Sequence, residues 1–565
     1  MGNARRAPAG VAADGQPGPD GDGTRADTRA NTVATSVDSD APPLNAAEVH
    51  QVDVIRRFGT VGALLLAIGS LGAAASPVFN PLTTVPVLGL FSRMPTVALA
   101  LAFAGMAMLV LGWLWVGRLA RPGRPRLISR SQLKRTMLTW TVPLLFVPPM
   151  FSKDVYSYLA QSKIAALGLN PYQLGPAVAL GVADPLTRGV PTIWRDTPAP
   201  YGPLFITVGR AVTALSGDHV VTGVYLQRLL ELVGIALIVW AVPRLARRFG
   251  VPTVSALWLG VANPLVLFHL IIGAHNEALM IGLMLTGFEL ALRHLPAARP
   301  GEPVPPVTRP ELLWLFAGTA VITLGASVKI SAAPAMGFLA MLVARRLGAK
   351  FRHLLLAAAG LFVVFAAITV AVSLGTGLGF GWITTLSTNS VVKSWESPVT
   401  GLGLLGGALG VAFGLGDHTD STIGIMRGLG EILTVVVTVR LLWDTWRGRM
   451  QPMIGLGLCL GAVVLLGATV QAWYLLWAVI PLAAGLGRSR FRTFAIWLSA
   501  AVAMIVPPTG GSFDGHTYIL PEAYAAAIIV VAVAIVAVRT SFPLLPWRDP
   551  ATECTPVTGP DPDVG

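Results

Sequence analysis

Apolar runs of membrane-crossing length recur from end to end of this sequence, and they limit what it can fold into more than any other feature. A helix needs about 20 predominantly apolar residues to cross ~30 Å of hydrocarbon. Such runs can be drawn at approximately 58–76, 95–117, 136–150, 220–243, 252–272, 277–294, 310–328, 331–345, 353–374, 422–442, 452–470, 473–487, 492–507 and 521–539. Composition agrees: 54% of the residues are AVILMFWYC and only 12% are DEKR, where soluble domains carry about 25% charged residues. The fold class implied is an all-α polytopic membrane protein of about 14 transmembrane helices. Several spans are short or contain Pro or Gly, which is tolerable only where neighbouring helices cover the freed backbone groups.

The net charge of +13, from 41 Lys and Arg against 28 Asp and Glu, does not point to nucleic acid. The cations sit between spans, in clusters at 118–135, 244–248, 345–352, 440–449 and 488–492. With about fourteen spans all of these clusters, with Arg56 and Arg57, fall on one side, which the positive-inside bias makes cytoplasmic together with both termini. The agreement requires that the Gly-rich apolar stretch 399–416 not span the membrane. Residues 1–50 and 541–565 lack large apolar side chains in sufficient number and are expected to be disordered cytoplasmic tails flanking a transmembrane domain at 51–540. The start of the chain lacks the charged-then-apolar pattern of a secretory signal. Two cysteines, Cys459 and Cys554, can form neither a disulfide framework nor a zinc site.

The opposite, outer face carries the long connections, 151–219 and 376–421. Loops longer than about 15 residues are usually functional or disordered. The first is not disordered in composition: FSKDVYSYLAQSKIAAL and PLFITVGRAVTAL have helical apolar spacing and are expected to lie as amphipathic helices at the interface. The two loops would roof a site for a lipid-borne substrate.

Asp154 opens the first loop directly after the third span. A carboxylate held there by surrounding helices suits a general base; it would also suit a helix-start anion facing backbone N–H groups. Candidates to hold a departing lipid phosphate are Lys153, Arg195, His275, Lys329 and Lys393, with snorkelling as the alternative for the lysines. Candidates to contact sugar are Tyr156, Tyr158, Gln161, Trp194, Tyr201, Asn276, Glu277, Trp395, Glu396, Gln471, Trp473 and Tyr474. Belt or loop packing is the alternative for the aromatics and helix capping for Asn276. No ligand spacing near His275 and Glu277 supports a metal, and no glycine fingerprint stands where a nucleotide site would need it. No cofactor is expected, and a transferase of this kind would draw on a membrane-dissolved donor.

Four blocks in order, PPMFSKDVYSYLAQSKIAALGLNPYQLGP, TPAPYGPLF, SALWLGVANPLVLFHLIIGAHNEALMIGLMLTG and VQAWYLLW, closely resemble the polyprenol-phosphate-mannose-dependent α(1→6)-mannosyltransferases of the MptB type. The likeness runs from about residue 55 to 540. It implies a GT-C-type bundle in the plasma membrane with its active site on the periplasmic face. The implied donor is a β-mannosyl phosphate of a polyprenol, and the implied acceptor the α(1→6)-mannan on a phosphatidylinositol mannoside anchor, in lipomannan and lipoarabinomannan synthesis. Asp154 matches the essential acidic residue of the first outer loop in GT-C enzymes. The rival expectations are a lipid-linked sugar flippase or transporter, against which no internal repeat is visible, and a GT-C enzyme of different sugar choice.

Overall fold

A computed structural model describes residues 42–296, 304–394, 396–510 and 517–541. Among them every regular element is helical. The tail expectations for 1–41 and 542–565, and Trp395, lie outside the described residues. The first helix, Ala46–Ala73, already begins within the stretch read as a tail. Its start is fixed by a reciprocal cap, in which the Asn45 side chain accepts from the Glu48 N–H and Glu48 accepts from the Asn45 N–H, both at 2.8 Å.

Seven helices are long and apolar enough to cross a membrane, or eight if the bent pair Val266–Ile272 and Glu277–Leu292 makes one span. The fourteen segments drawn from hydropathy therefore do not reappear as fourteen long helices. Pro203–Ser216, Pro398–Ala412, Pro452–Leu465 and Ala472–Gly485 are shorter apolar helices. Apolar composition registers burial as readily as a membrane span, and it does not show where a helix breaks. The segment 252–272 illustrates this: a helix Thr253–Gly260 stops before Asn263-Pro264, where Pro has no N–H to donate and the Asn263 side chain accepts from the Leu265 N–H at 3.0 Å. A π-helical stretch, Val266–Ile272, follows and meets the helix Glu277–Leu292 at 106°. Pro398–Ala412, 15 residues long, spans about 22 Å at ~1.5 Å per residue, short of the hydrocarbon thickness.

Close helix approaches rest on glycine. A Cβ on Gly105 would lie 2.5 Å from the carbonyl oxygen of Gly62, so the helices Ala46–Ala73 and Pro95–Ala120 touch backbone to backbone. At the other end of Pro95–Ala120, the Trp113 indole N–H donates to the Trp258 carbonyl at 3.0 Å and Trp258 returns the bond to Trp113 at 2.9 Å, with the rings stacked. The helices Phe351–Gly375 and Thr419–Trp446 instead turn Phe362, Val363, Ile432 and Val435 outward, the inversion expected of a lipid-facing surface.

The first long connection folds as a compact unit: helix Asp154–Ala166, short turns at Pro176–Leu180 and Pro185–Gly189, and helix Pro203–Ser216. Asp154–Ala166 was expected to expose one polar side. It is buried on nearly all sides instead, with Ser157, Gln161 and Ser162 turned inward. That inward polar stripe is what the site is built on.

Candidate active site

Asp154 is the first residue of its helix, and its own N–H donates to the Ser152 hydroxyl at 3.0 Å. The turn before it is held in an uncommon conformation. Phe151 sits at φ 69° with its N–H on the Pro508 carbonyl at 2.9 Å, a cost that persists only where the surroundings impose it. The Asp154 side chain keeps 21% of its surface. Burial pushes its carboxyl up to about 6, with Glu277 adding to the rise and Lys329 and the Ser152 hydroxyl opposing it.

Around Asp154 the fold gathers groups from three distant stretches. His275 places Nδ1 3.6 Å from Asp154 Oδ2, 3.9 Å from Glu277 Oε2 and 3.4 Å from the Tyr158 hydroxyl, while its ring stacks on Trp473 at 3.8 Å. Lys329 Nζ pairs with Glu277 Oε1 at 2.5 Å and lies 4.5 Å above the Tyr474 ring and 5.1 Å above that of Trp477. A pocket opens here, lined by Asp154, Gln161, Trp194, Tyr201, Lys329, Gln471, Trp473 and Tyr474, with Ser157, Thr197, Pro200 and Thr469 between them. Its empty volume, counted out to open solvent, is ≈ 590 Å³. Ser157 Oγ and Gln161 Oε1 are buried along it with no protein hydrogen-bond partner, so they are available to a hydroxyl-rich ligand.

Other sequence candidates stand elsewhere. The Arg195 guanidinium donates to the carbonyls of Val190 and Arg188, at 2.9 and 2.8 Å, bracing its own loop, and is not among the residues lining the pocket. Tyr156 is buried away from the pocket and donates to the Ala75 carbonyl at 2.9 Å. Lys393 pairs with Asp420 in the second long connection. Neither it nor Glu396 is among the residues lining the pocket. Lys153 precedes the helix and is likewise not among them. Tyr158 and Asn276 are buried beside the pocket rather than in its wall, and Asn276 has both amide atoms without a partner. Among the described residues no group of three or more His, Cys, Asp or Glu could hold a metal ion.

Sequence reasoning passed over Gln227, Arg228 and Glu231, all fully buried inside the helix Val220–Arg248. The signal was present: ionisable residues within a membrane-crossing run are costly and mark functional positions.

A carboxylate of raised basicity and a lysine share a pocket walled by aromatic rings within a helical bundle that carries membrane-length apolar helices. Residues 56–345 match the family model described as the α-(1→6)-mannopyranosyltransferase N-terminal domain, and residues 399–536 match the MptB C-terminal domain. The chain belongs to the α-(1→6)-mannopyranosyltransferase family. It is 45% identical over 523 residues to a probable α-(1→6)-mannopyranosyltransferase of Mycolicibacterium smegmatis, covering 91% of this chain and 92% of that one. An α-(1→6)-mannopyranosyltransferase of Mycobacterium tuberculosis is 45% identical over 544 residues, covering 90% and 91%. α-(1→6)-Mannopyranosyltransferase B of Corynebacterium glutamicum is 35% identical over 493 residues, covering 85% and 81%. No solved structure matches the chain.

Proposed function

We propose that this protein is an inverting mannosyltransferase that moves mannose from polyprenyl-phosphate-mannose to the 6-hydroxyl of an α(1→6)-mannan or phosphatidylinositol mannoside acceptor, on the outer face of the plasma membrane. Family membership supports mannosyl transfer. The observation that carries the site assignment is that, among the described residues, Lys329 is the one Lys or Arg lining the pocket that also holds Asp154. Asp154 takes the proton from the acceptor 6-hydroxyl as that oxygen forms the new bond to the anomeric carbon. The bond from that carbon to the phosphate oxygen breaks on the opposite face, its electrons leave on the polyprenyl phosphate, and a β-linked donor gives an α-linked product. The Lys329 ammonium has three donors and uses one on Glu277, leaving others for the departing phosphate. Trp194, Tyr201, Trp473 and Tyr474 supply apolar faces for sugar rings and Gln161, Ser157 and Gln471 supply hydrogen bonds. The proposal includes a GT-C-type topology of about 14 crossings, in which Arg130–Leu144, Thr253–Gly260, Glu277–Leu292, Pro334–Arg346, Pro452–Leu465, Ala472–Gly485 and Arg490–Ile505 join the seven long helices, Pro398–Ala412 does not cross and Pro203–Ser216 lies at the interface.

Membranes containing the protein, labelled polyprenyl phosphomannose and an α(1→6)-dimannoside acceptor provide the test. Lengthened product with a new α linkage supports the reading; unchanged acceptor with donor moved across the membrane would favour a flippase. The pH profile is a second check. The base must be ionised, so kcat/KM for the acceptor falls as pH drops through about 6, where the Asp154 carboxyl gains its proton. An acid limb near the ordinary carboxylate value of ~4 would contradict the burial of that group.

A further inference from the structure

At the 106° break between Val266–Ile272 and Glu277–Leu292 the chain turns inside the bundle. The last carbonyls of one helix and the first N–H groups of the next have no partner within their own helix, and no bulk water reaches them. The neighbouring helix Val220–Arg248 provides for both. Arg228, which is 2% exposed, donates from Nε to the Ile271 carbonyl at 3.1 Å and from Nη2 to that of Ile272 at 3.0 Å. One turn further on, Glu231 accepts from the Leu279 N–H at 3.2 Å and is itself steadied by Gln227 Nε2 at 2.9 Å. Asn276, at the capping position of Glu277–Leu292, makes no such bond, so the cap comes from another helix. The approach is close because Gly234 lets it be: a Cβ there would lie 2.3 Å from the Ala278 carbonyl carbon.

Arg228 reaches a second segment as well. Its Nη1 donates to the carbonyls of Leu145 and Val147, at 2.7 and 2.8 Å, at the end of the helix Arg130–Leu144 that leads into Asp154. One guanidinium thus joins the segment delivering Asp154 to the segment delivering His275 and Glu277. We infer that Arg228 and Glu231 are positioning residues for transfer: they fix the spacing between Asp154 and the His275–Glu277 turn, without touching substrate. This rests on Asp154 acting as the base. A misplacement of about 1 Å in such a constellation costs on the order of 10²-fold in rate.

The test is steady-state kinetics of the full-length protein in lipid nanodiscs, with polyprenyl phosphomannose and dimannoside, from about pH 5 to 8 so that the acid limb is covered. Arg228→Lys cannot fork to four carbonyls, and Glu231→Leu removes the acceptor for the Leu279 N–H. Both are expected to lower kcat by about tenfold or more, to change either KM by less than about twofold, and to move the acid limb to lower pH as Glu277 is released from Asp154. Glu231→Gln keeps an acceptor oxygen and is expected to stay within about threefold of the parent. If Glu231→Leu fails to accumulate, Arg228→Lys and Glu231→Gln carry the comparison. The proposal is overturned if Arg228→Lys leaves kcat and the limb unchanged, or if its loss follows the folded fraction with the limb unmoved. Asp154→Asn is run in parallel: an active Asp154→Asn overturns the base assignment, whereas the clamp is still read from kcat against KM in Arg228→Lys.

Discussion

Asp154→Asn is expected to lower mannosyl transfer by about 10²–10⁴-fold, the contribution of a positioned general base. The substitution preserves shape, and the Ser152 hydroxyl still receives the residue-154 N–H. It removes only the carboxylate proposed to take the acceptor's proton. The protein should not become less stable. The folded carboxyl is raised to about 6, above its unfolded value, so the folded state binds the proton more readily. Ionisation at neutral pH then works against folding, and a neutral amide removes that opposition. Initial rates on protein matched for thermal unfolding temperature make the comparison, with donor binding measured separately and expected to persist. Retention of more than about a tenth of the parent rate would place the base elsewhere. Glu277, 3.9 Å from His275 Nδ1, would be tested next; Glu396 is not among the residues lining the pocket.

Lys329→Met is expected to lower both yield and rate, for separable reasons. Its pairing with Glu277 is buried, the carboxylate side chain fully so. Removing the ammonium leaves an unpaired buried charge, which costs about 3–5 kcal/mol of stability. Losing a donor to the departing phosphate costs a further ~10²–10³ in kcat. The double variant Glu277→Gln/Lys329→Met removes the orphaned charge and is expected to recover folding while remaining at least about 10²-fold slow. If the double variant regains near-parental transfer, Lys329 serves only to neutralise Glu277, and the phosphate must be held by another group.

Much of the pocket was legible because its residues are costly where they stand. A carboxylate at a membrane boundary, Trp194 and Tyr201 in a proline-stiffened stretch, and Gln471-Ala472-Trp473-Tyr474 between apolar runs all stood out, and the structure brings them together. The cations were not separable by sequence. Arg195, Lys393 and Lys329 look alike as basic residues on the outer side, but whether a guanidinium braces a loop carbonyl or an ammonium faces a cavity depends on contacts between remote segments. The break at 272–277 was legible as the gap between two apolar runs, but its partners were hidden: Arg228 and Glu231, on another helix, bond the Ile271 and Ile272 carbonyls and the Leu279 N–H across it.

Local chemistry decided what could be read in one dimension. Hydrocarbon-length apolar runs with sparse charge made this a helical membrane protein, since backbone groups in lipid must be satisfied within the segment. The ordered blocks around Asp154 carried its family. Tertiary packing alone decided which polar groups meet. The glycine contacts, the crossed tryptophan bonds and one buried guanidinium hold remote segments together, and the distances between the pocket's polar groups are fixed only when segments far apart in the chain close on one another.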